Sequence, residues 1–127
     1  MIYRKLGKTG IDVSVIGFGG MRFENQKTPE YCANLVKAAY DAGINYFDTA
    51  PIYCNSQSEE YFGRAFAEMK KTREQKPFYV ATKTFESREP KIRRDLENSL
   101  KRMGLDAIDF YYIWCVIRPE QYRERVG

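Results

Sequence analysis

Short apolar runs alternate with amphipathic helical stretches along this chain, and no other feature of the sequence restricts its fold as much. The runs have the length of buried β-strands, and each is followed by residues whose apolar positions recur at helical spacing. Strands that alternate with helices in this way form right-handed βαβ units, which build a parallel sheet. The predicted strands are residues 15–18, 44–47, 78–82 and 108–114.

Residues that favour helix ends bound the predicted helices. Thr28 is expected as the N-cap of the first helix, Pro29 lies in its first turn, and Gly43 ends it. The segment 56–59, Ser-Gln-Ser-Glu, has the spacing of a capping box and predicts the start of the second helix. The third helix is predicted from Pro90 to Gly104, and a fourth from Pro119 for one or two turns before Gly127.

The first residues of the chain predict a separate element. Residues 2–6 and 12–15 have β character and flank a turn bounded by Gly7 and Gly10, so a small N-terminal hairpin is expected. No linker rich in Pro, Gly or Ser divides the chain. We therefore predict a single domain over residues 1–127.

The charge distribution argues against two classes of partner. Lys and Arg total 21 and Asp and Glu total 17, and because the two signs are interleaved, the net charge of +4 forms no surface typical of nucleic-acid or membrane binding. No apolar stretch has the length of a membrane-spanning helix, and no signal-peptide core follows Met1. We expect a cytoplasmic protein whose partner is a small molecule.

The chain contains no histidine. This excludes Ser/His and Cys/His dyads and His-ligated metal sites, so any proton transfer must use Tyr, Lys, Cys or a carboxylate. The cysteines Cys32, Cys54 and Cys115 form no Cys-x-x-Cys pair, so neither a disulfide framework nor a metal site is expected.

The carboxyl ends of the predicted strands are the expected ligand site, because the loops that follow parallel strands converge there. Asp48 follows one strand and Lys83 the next, so both are expected on one rim, where they can form an ion pair. Each alone is more commonly a turn residue or a solvated loop residue. The segment 17–22 is not a dinucleotide fingerprint, since the third glycine of G-x-G-x-x-G falls at Arg22 and no helix starts there.

Taken together, several segments resemble the aldo-keto reductase family in their order and spacing. The most specific is 43–53, Gly-Ile-Asn-Tyr-Phe-Asp-Thr-Ala-Pro-Ile-Tyr. The others are residues 17–21, 81–83, 99–100 and 108–111. This family folds as an eight-stranded (β/α) TIM barrel whose base is closed by an N-terminal hairpin. The resemblance implies an α/β chain that forms the N-terminal half of such a barrel, with four parallel strands and the hairpin.

The resemblance also implies the roles of individual residues. Tyr53 is implied as the proton donor, Lys83 as the ammonium that makes it more acidic, and Asp48 as the partner of Lys83. The family transfers hydride from NADPH to the carbonyl carbon of an aldehyde or ketone, and the cofactor contacts fall on Gly20, Met21 and Asp48. A carbonyl compound is therefore the expected substrate, NADPH the expected cofactor, and no metal is required.

The chain departs from the family pattern in two ways. Trp114 stands where the family has a histidine that orients the substrate carbonyl, and its indole N–H offers one donor and no titratable proton. In addition, a complete barrel needs roughly 250 residues, whereas this chain has 127. We expect a truncated half-barrel that is inactive alone.

Two alternatives remain open from the sequence. One is a non-catalytic half-barrel that self-associates through its open sheet edges, because unpaired edge strands favour association. The other is a thiol or metal site formed by Cys54 and Cys115, although buried unreactive thiols are more common.

Overall fold

The computed structural model describes residues 1–23 and 27–126, and Gly127, where the fourth predicted helix was expected to end, lies outside them. Two sheets are present in the described part: a two-stranded antiparallel hairpin and a four-stranded parallel sheet with the order β3-β4-β5-β6. The strands are β1 (Tyr3–Lys5), β2 (Asp12–Ser14), β3 (Phe18–Gly19), β4 (Tyr46–Asp48), β5 (Tyr79–Thr84) and β6 (Phe110–Ile113). The helices are α1 (Pro29–Asp41), α3 (Ser58–Met69), α4 (Glu89–Met103) and α5 (Pro119–Val126), and the short turn Tyr53–Ser56, labelled α2, contains left-handed residues. The predicted fold class of four parallel strands with an N-terminal hairpin is confirmed.

The hairpin is joined to the parallel sheet through one buried amide side chain. Asn45, which precedes β4, accepts a hydrogen bond from the backbone N–H of Ser14 at 2.7 Å. It also donates to the carbonyl oxygen of Asp12 at 2.9 Å. The hairpin is therefore fixed at the amino end of β4, and the carboxyl ends of the strands stay open.

The first predicted strand was placed wrongly. Residues 15–18 were expected as a buried strand, but Val15 is 54% and Ile16 is 59% exposed, and β3 contains only Phe18 and Gly19. The hydroxyl of Ser14 donates to the carbonyl oxygen of Ile16 at 2.7 Å and closes a local turn instead. Most of this apolar run therefore connects the hairpin to the sheet and is not a buried strand.

Helix α1 begins and ends as the sequence predicts. The Thr28 side chain caps it by accepting a hydrogen bond from the backbone N–H of Tyr31 at 3.2 Å, and Pro29 occupies its first turn. After the helix, Gly43 takes a backbone φ of +97°, which glycine adopts without strain.

The predicted capping box at residues 56–59 does not form. Helix α3 follows Gln57, and no side chain caps it. Instead, Cys54, Asn55 and Ser56 have φ values of 54°, 54° and 66°, a left-handed run without glycine. This run turns the chain sharply between Tyr53 and α3, and Glu59 is directed into the interior.

Helices α3 and α4 approach each other closely. A side chain added at Gly63 in α3 would collide with the backbone carbonyl oxygen of Arg102 and would lie 3.0 Å from the Cα atom of Met103. Helix α4 then ends at Gly104, whose φ of +62° is the left-handed conformation typical of a helix C-terminus.

The core lies between the sheet and the helices, and it consists mainly of aromatic side chains. Its fully buried phenylalanines are Phe47, Phe62, Phe66 and Phe78. Phe66 stacks on Phe78 with ring centroids 5.0 Å apart, and Phe47 contacts both through edge-to-face pairs. The opposite face of the sheet carries no helix in the described part of the chain. None of the described helices is both long enough and apolar enough to span a membrane.

Candidate functional site

An ion pair joins the carboxyl ends of the two central strands. Asp48 is the last residue of β4, and Lys83 lies near the end of β5, which pairs with β4 in parallel. The Lys83 Nζ atom is 2.8 Å from Asp48 Oδ1 and 2.7 Å from Oδ2. The Lys83 side chain is 8% exposed and that of Asp48 34%, so the ammonium is buried while the carboxylate still reaches solvent. The predicted meeting of these two side chains on one rim is observed.

Tyr53 lies beside this ion pair. It is the first residue of α2, where its backbone N–H donates to the carbonyl oxygen of Ala50, and it is 8% exposed. The Lys83 Nζ atom lies 5.2 Å from the centroid of the Tyr53 ring. The structure thus brings phenol, ammonium and carboxylate together: the strand pattern predicted the meeting of Asp48 and Lys83, and the family resemblance implied the place of Tyr53 beside them.

Trp114 forms the wall on the other side of Tyr53. Its backbone N–H continues the sheet by donating to the carbonyl oxygen of Thr84 at 2.8 Å. Its ring packs edge-to-face on Tyr53 at 5.5 Å, contacts the tilted ring of Phe85 at 4.6 Å, and lies 5.8 Å from the Nζ atom of Lys83. Trp114 therefore belongs to the same cluster.

Gly20 and Met21 form a 3-10 turn after β3, beside the loop that carries Tyr53. The Gly20 carbonyl oxygen accepts hydrogen bonds from Ser58 Oγ at 2.9 Å and from the thiol of Cys54 at 3.4 Å. A side chain at Gly20 would overlap the ring of Phe62, so the core itself requires glycine here. Met21 is 45% exposed at the rim. Both predicted cofactor residues lie next to the cluster, and Gly20 has a packing role that the sequence did not indicate.

Trp114 separates two open depressions at the rim. One, of about 330 Å³, lies between Met21, Tyr53 and Trp114; the other, of about 550 Å³, lies between Lys83, Trp114 and Cys115. A third cavity of about 540 Å³ lies at the opposite end of the sheet, beside the hairpin. There the hydroxyls of Tyr3 and Tyr40 already donate to backbone carbonyl oxygens. The rim is therefore the candidate site.

Three neighbouring aromatic residues were missed in the sequence. Phe85 packs at a tilt against Trp114, and the Tyr112 ring centroid lies 6.0 Å from the Nζ atom of Lys83. The hydroxyls of Tyr112 and Tyr46 share a hydrogen bond of 2.9 Å. Burial, and secondarily the contact with Tyr112, raises the pKa of Tyr46 above its usual value. The sequence could have indicated them, because side chains two residues apart on a strand lie on the same face of the sheet. Each of these three residues is two positions from Asp48, Lys83 or Trp114.

The cysteines at the rim do not form a site together with other metal-binding side chains. Cys54 and Cys115 are outside any disulfide, and Cys115 is exposed. Among residues 1–23 and 27–126, no group of three or more His, Cys, Asp or Glu side chains could hold a metal ion.

Comparisons with known proteins agree with this arrangement. The profile of the Aldo/keto reductase family matches residues 15–127. A 6-dehydroglucose reductase from Novosphingobium aromaticivorans is 36% identical, and the match covers 93% of this chain and 42% of that protein. The thermostable aldo-keto reductase Tm1743 matches in structure with a TM-score of 0.75 and 31% identity, over 94% of this chain and 44% of the other.

A Bombyx mori aldo-keto reductase solved with NADP matches with a TM-score of 0.65 and 30% identity, over 82% of this chain and 35% of the other. The chain thus spans less than half the length of the proteins it matches, which is consistent with the predicted half of a TIM barrel. With the family profile covering all but the first residues, this chain belongs to the aldo/keto reductase family.

Proposed function

We propose that this chain supplies the catalytic half of an NADPH-dependent reductase that converts an aldehyde or ketone to an alcohol. The observation that carries the proposal is the cluster of Tyr53, Lys83 and Asp48, in which a buried ammonium is held by a carboxylate next to a phenol. Relatives that are reductases, and a relative solved with NADP, support it.

The rim can accommodate a nicotinamide cofactor. A side chain added at Gly19, the last residue of β3, would meet nothing within 4 Å, so a planar group can approach the backbone there. Gly19 is paired with Asp48, whose carboxylate is one-third exposed and has acceptor capacity beyond its contact with Lys83. Gly20, Met21 and Asp48 would hold the cofactor, and NADPH, when bound, supplies the hydride.

In this proposal the chain's own residues handle the proton. The Tyr53 hydroxyl holds the proton that passes to the carbonyl oxygen, and the adjacent positive charge of Lys83 stabilises the phenolate that remains. Asp48 keeps the ammonium in place through both of its oxygens. The rings of Trp114 and Tyr53 exclude water from one side, which strengthens these electrostatic interactions.

The proposal is tested in a fusion protein that joins residues 1–127 to the second half of one of the matching reductases. The readout is NADPH oxidation with a simple aldehyde. Tyr53→Phe should lower the rate by ~10² or more, because a positioned acid is lost, and should leave NADPH affinity nearly unchanged. Tyr31→Phe, the same substitution at an exposed residue of α1, is the matched control and should leave the rate unchanged.

Equal rates for the Tyr53→Phe variant and its parent would remove Tyr53 from the mechanism. The rival function is a non-catalytic half-barrel that self-associates through its open sheet edges, β3 and β6; Tyr112 on β6 is 44% exposed. An inactive parent fusion, together with a dimer of the 127-residue chain in sedimentation equilibrium, would favour that rival.

A further inference from the structure

We infer that Ser58 and Glu59, at the start of α3, form a buried polar latch that sets the position of the proposed catalytic residues without touching the substrate. The inference rests on the proposed function, because that proposal assigns the roles of the residues being positioned. The contacts of Ser58 and Glu59 themselves do not depend on it. Ser58 is fully buried and Glu59 is 1% exposed. Full burial of an acidic side chain is rare unless it is paired, so the partners of Glu59 are informative.

Both carboxylate oxygens of Glu59 are occupied by different elements. Oε1 accepts a hydrogen bond of 2.8 Å from the hydroxyl of Thr82 on β5. Oε2 accepts one of 2.6 Å from Nε of Arg102 on α4. A single side chain thus links α3, the central strand β5 and α4.

Ser58 extends the latch to the two preceding strands. Its Oγ atom donates to the carbonyl oxygen of Gly20, which follows β3, at 2.9 Å. It also shares a hydrogen bond of 2.8 Å with the hydroxyl of Thr49, which follows β4. Two consecutive residues therefore contact the carboxyl ends of β3, β4 and β5.

Each anchor of the latch is adjacent in sequence to a residue of the site. Gly20 precedes Met21, Thr49 follows Asp48, and Thr82 precedes Lys83. Since successive side chains of a strand point to opposite faces, Thr82 reaches the latch while Lys83 reaches Asp48. A hydrogen bond that fixes Thr82 also fixes the backbone from which Lys83 extends.

Stability alone is a weak reason for such a latch. In the ion pair of Glu59 with Arg102 the carboxylate is fully buried while the Arg102 side chain is 32% exposed. Burial of a charge costs desolvation energy that offsets much of the attraction within the pair, and well-packed apolar residues often replace buried pairs without loss of stability. Directional hydrogen bonds to several elements do fix the positions of those elements relative to one another. Catalysis by proximity requires reacting groups to be held in such defined positions. We therefore assign Ser58 and Glu59 as positioning residues.

The test measures how well Lys83 is shielded in the 127-residue chain. Amine acetylation followed by mass spectrometry gives the labelling rate of Lys83, with the exposed Lys5 as an internal reference. Thr82→Val keeps the shape of the side chain but removes the hydroxyl that contacts Glu59. We expect the Lys83 rate to rise about fivefold, the factor that loss of one hydrogen bond produces when labelling needs local opening. Thr82→Ser restores the hydroxyl and should restore the shielding.

A matched control lies at the other end of β5. Asp109 accepts hydrogen bonds from Arg73 at 2.7 Å and from the backbone N–H of Val80 at 2.8 Å, so Asp109→Asn also disturbs a charged contact with this strand. Urea unfolding, followed by the fluorescence of Trp114, the single tryptophan, corrects each variant for global stability. After that correction, Asp109→Asn should leave the Lys83 rate unchanged.

Two results would overturn the inference: an unchanged Lys83 rate in Thr82→Val, or an equal rise in Asp109→Asn after the correction. Glu59→Gln is a second variant, and it should raise the Lys83 rate at least as much as Thr82→Val does. Because the labelling needs neither NADPH nor turnover, failure of the latch is distinguishable from failure of the proposed reductase activity.

Discussion

The two faces of the parallel sheet use aromatic residues of different kinds. The face covered by helices carries phenylalanine, with Phe47 and Phe78 fully buried beside Phe62 and Phe66 of α3. The open face carries Tyr46, Tyr79 and Tyr112 together with Phe85, Phe110 and Trp114, and one tyrosine of β6, Tyr111, lies on the covered face. Neighbouring residues of one strand, such as Tyr46 and Phe47, thus belong to two chemically different surfaces.

This difference separates core residues from residues of the proposed site within single strands. Phenylalanine has no polar atom to satisfy and suits a closed core, whereas the tyrosine hydroxyl needs a partner or water. On the open face the hydroxyls of Tyr46 and Tyr112 pair with each other, and Lys83 and Asp48 lie beside them. The covered face therefore holds the fold together, and the open face carries the residues of the proposed site.

The largest effect is expected on the covered face. Phe47→Ala should lower the free energy of unfolding by about 3–5 kcal/mol, because it removes a ring packed against Phe62, Phe66 and Phe78. Urea denaturation followed by far-UV circular dichroism measures it. Tyr46→Ala, one position earlier and only half-buried, is the matched control and should cost less. Equal losses would mean that the two faces contribute alike to stability.

An intermediate effect is expected at alkaline pH. Burial, with a smaller contribution from Asp95, raises the pKa of Tyr111 to about 12, while Thr84 and Arg102 act in the opposite direction. The folded state therefore keeps a proton that the unfolded chain loses near pH ~10. Stability is fully present below that pH and declines as the pH rises towards 12, by roughly 2 kcal/mol at most from this group.

The alkaline decline is measured as the urea midpoint against pH. Tyr111→Phe should reduce the decline, because the group that titrates is removed. Tyr46→Phe should reduce it as well, since the pKa of Tyr46 is also raised in the folded state, mainly by burial. The same decline in the variants as in the parent would assign it to other groups.

The smallest effect is expected at neutral pH, when tyrosine is replaced by phenylalanine at Tyr46 or at Tyr111. The two substitutions should change the free energy of unfolding in opposite directions, or the second should leave it unchanged. Tyr46→Phe removes a hydroxyl that shares a hydrogen bond with Tyr112 and should cost about 0.5–1.5 kcal/mol. Tyr111 is paired with Thr82 and lies on the covered face, where its buried hydroxyl makes no hydrogen bond of acceptable geometry among the described residues and has only a weak contact with the side chain of Thr84, which lowers its pKa. Tyr111→Phe should therefore be neutral or slightly stabilising in thermal unfolding. A loss equal to that of Tyr46→Phe would show that the Tyr111 hydroxyl is satisfied in solution.

Periodicity was sufficient to predict the order of the elements and part of the site. The spacing of apolar residues predicted the buried face of α3, and that of α1 except for Leu35, which is 40% exposed. The position after an apolar strand placed Asp48 and Lys83 on one rim. These inferences depend on local sequence and on the geometry shared by all parallel sheets, so no knowledge of distant contacts was needed.

Interactions between distant residues could not be predicted. Glu59 has the spacing of a helix cap, yet its partners Thr82 and Arg102 are far away in sequence and only the fold brings them together. The run at residues 15–18 is as apolar as a buried strand, but nothing covers Val15 and Ile16 in the described part of the chain. The composition of a short segment does not show whether other elements will cover it in the folded chain.

Gly63 limits how far this chain can vary. It lies one helical turn after Glu59, where α3 approaches the backbone of α4, and even the methyl group of alanine would meet the carbonyl oxygen of Arg102. Backbone atoms cannot rotate aside as a flexible side chain can. Any side chain at position 63, small or large, would therefore disturb the packing of α3 against α4. In a library of all amino acids at this position, tolerance should fall abruptly from glycine to every other residue, whereas neighbouring exposed positions of α3 should accept most replacements.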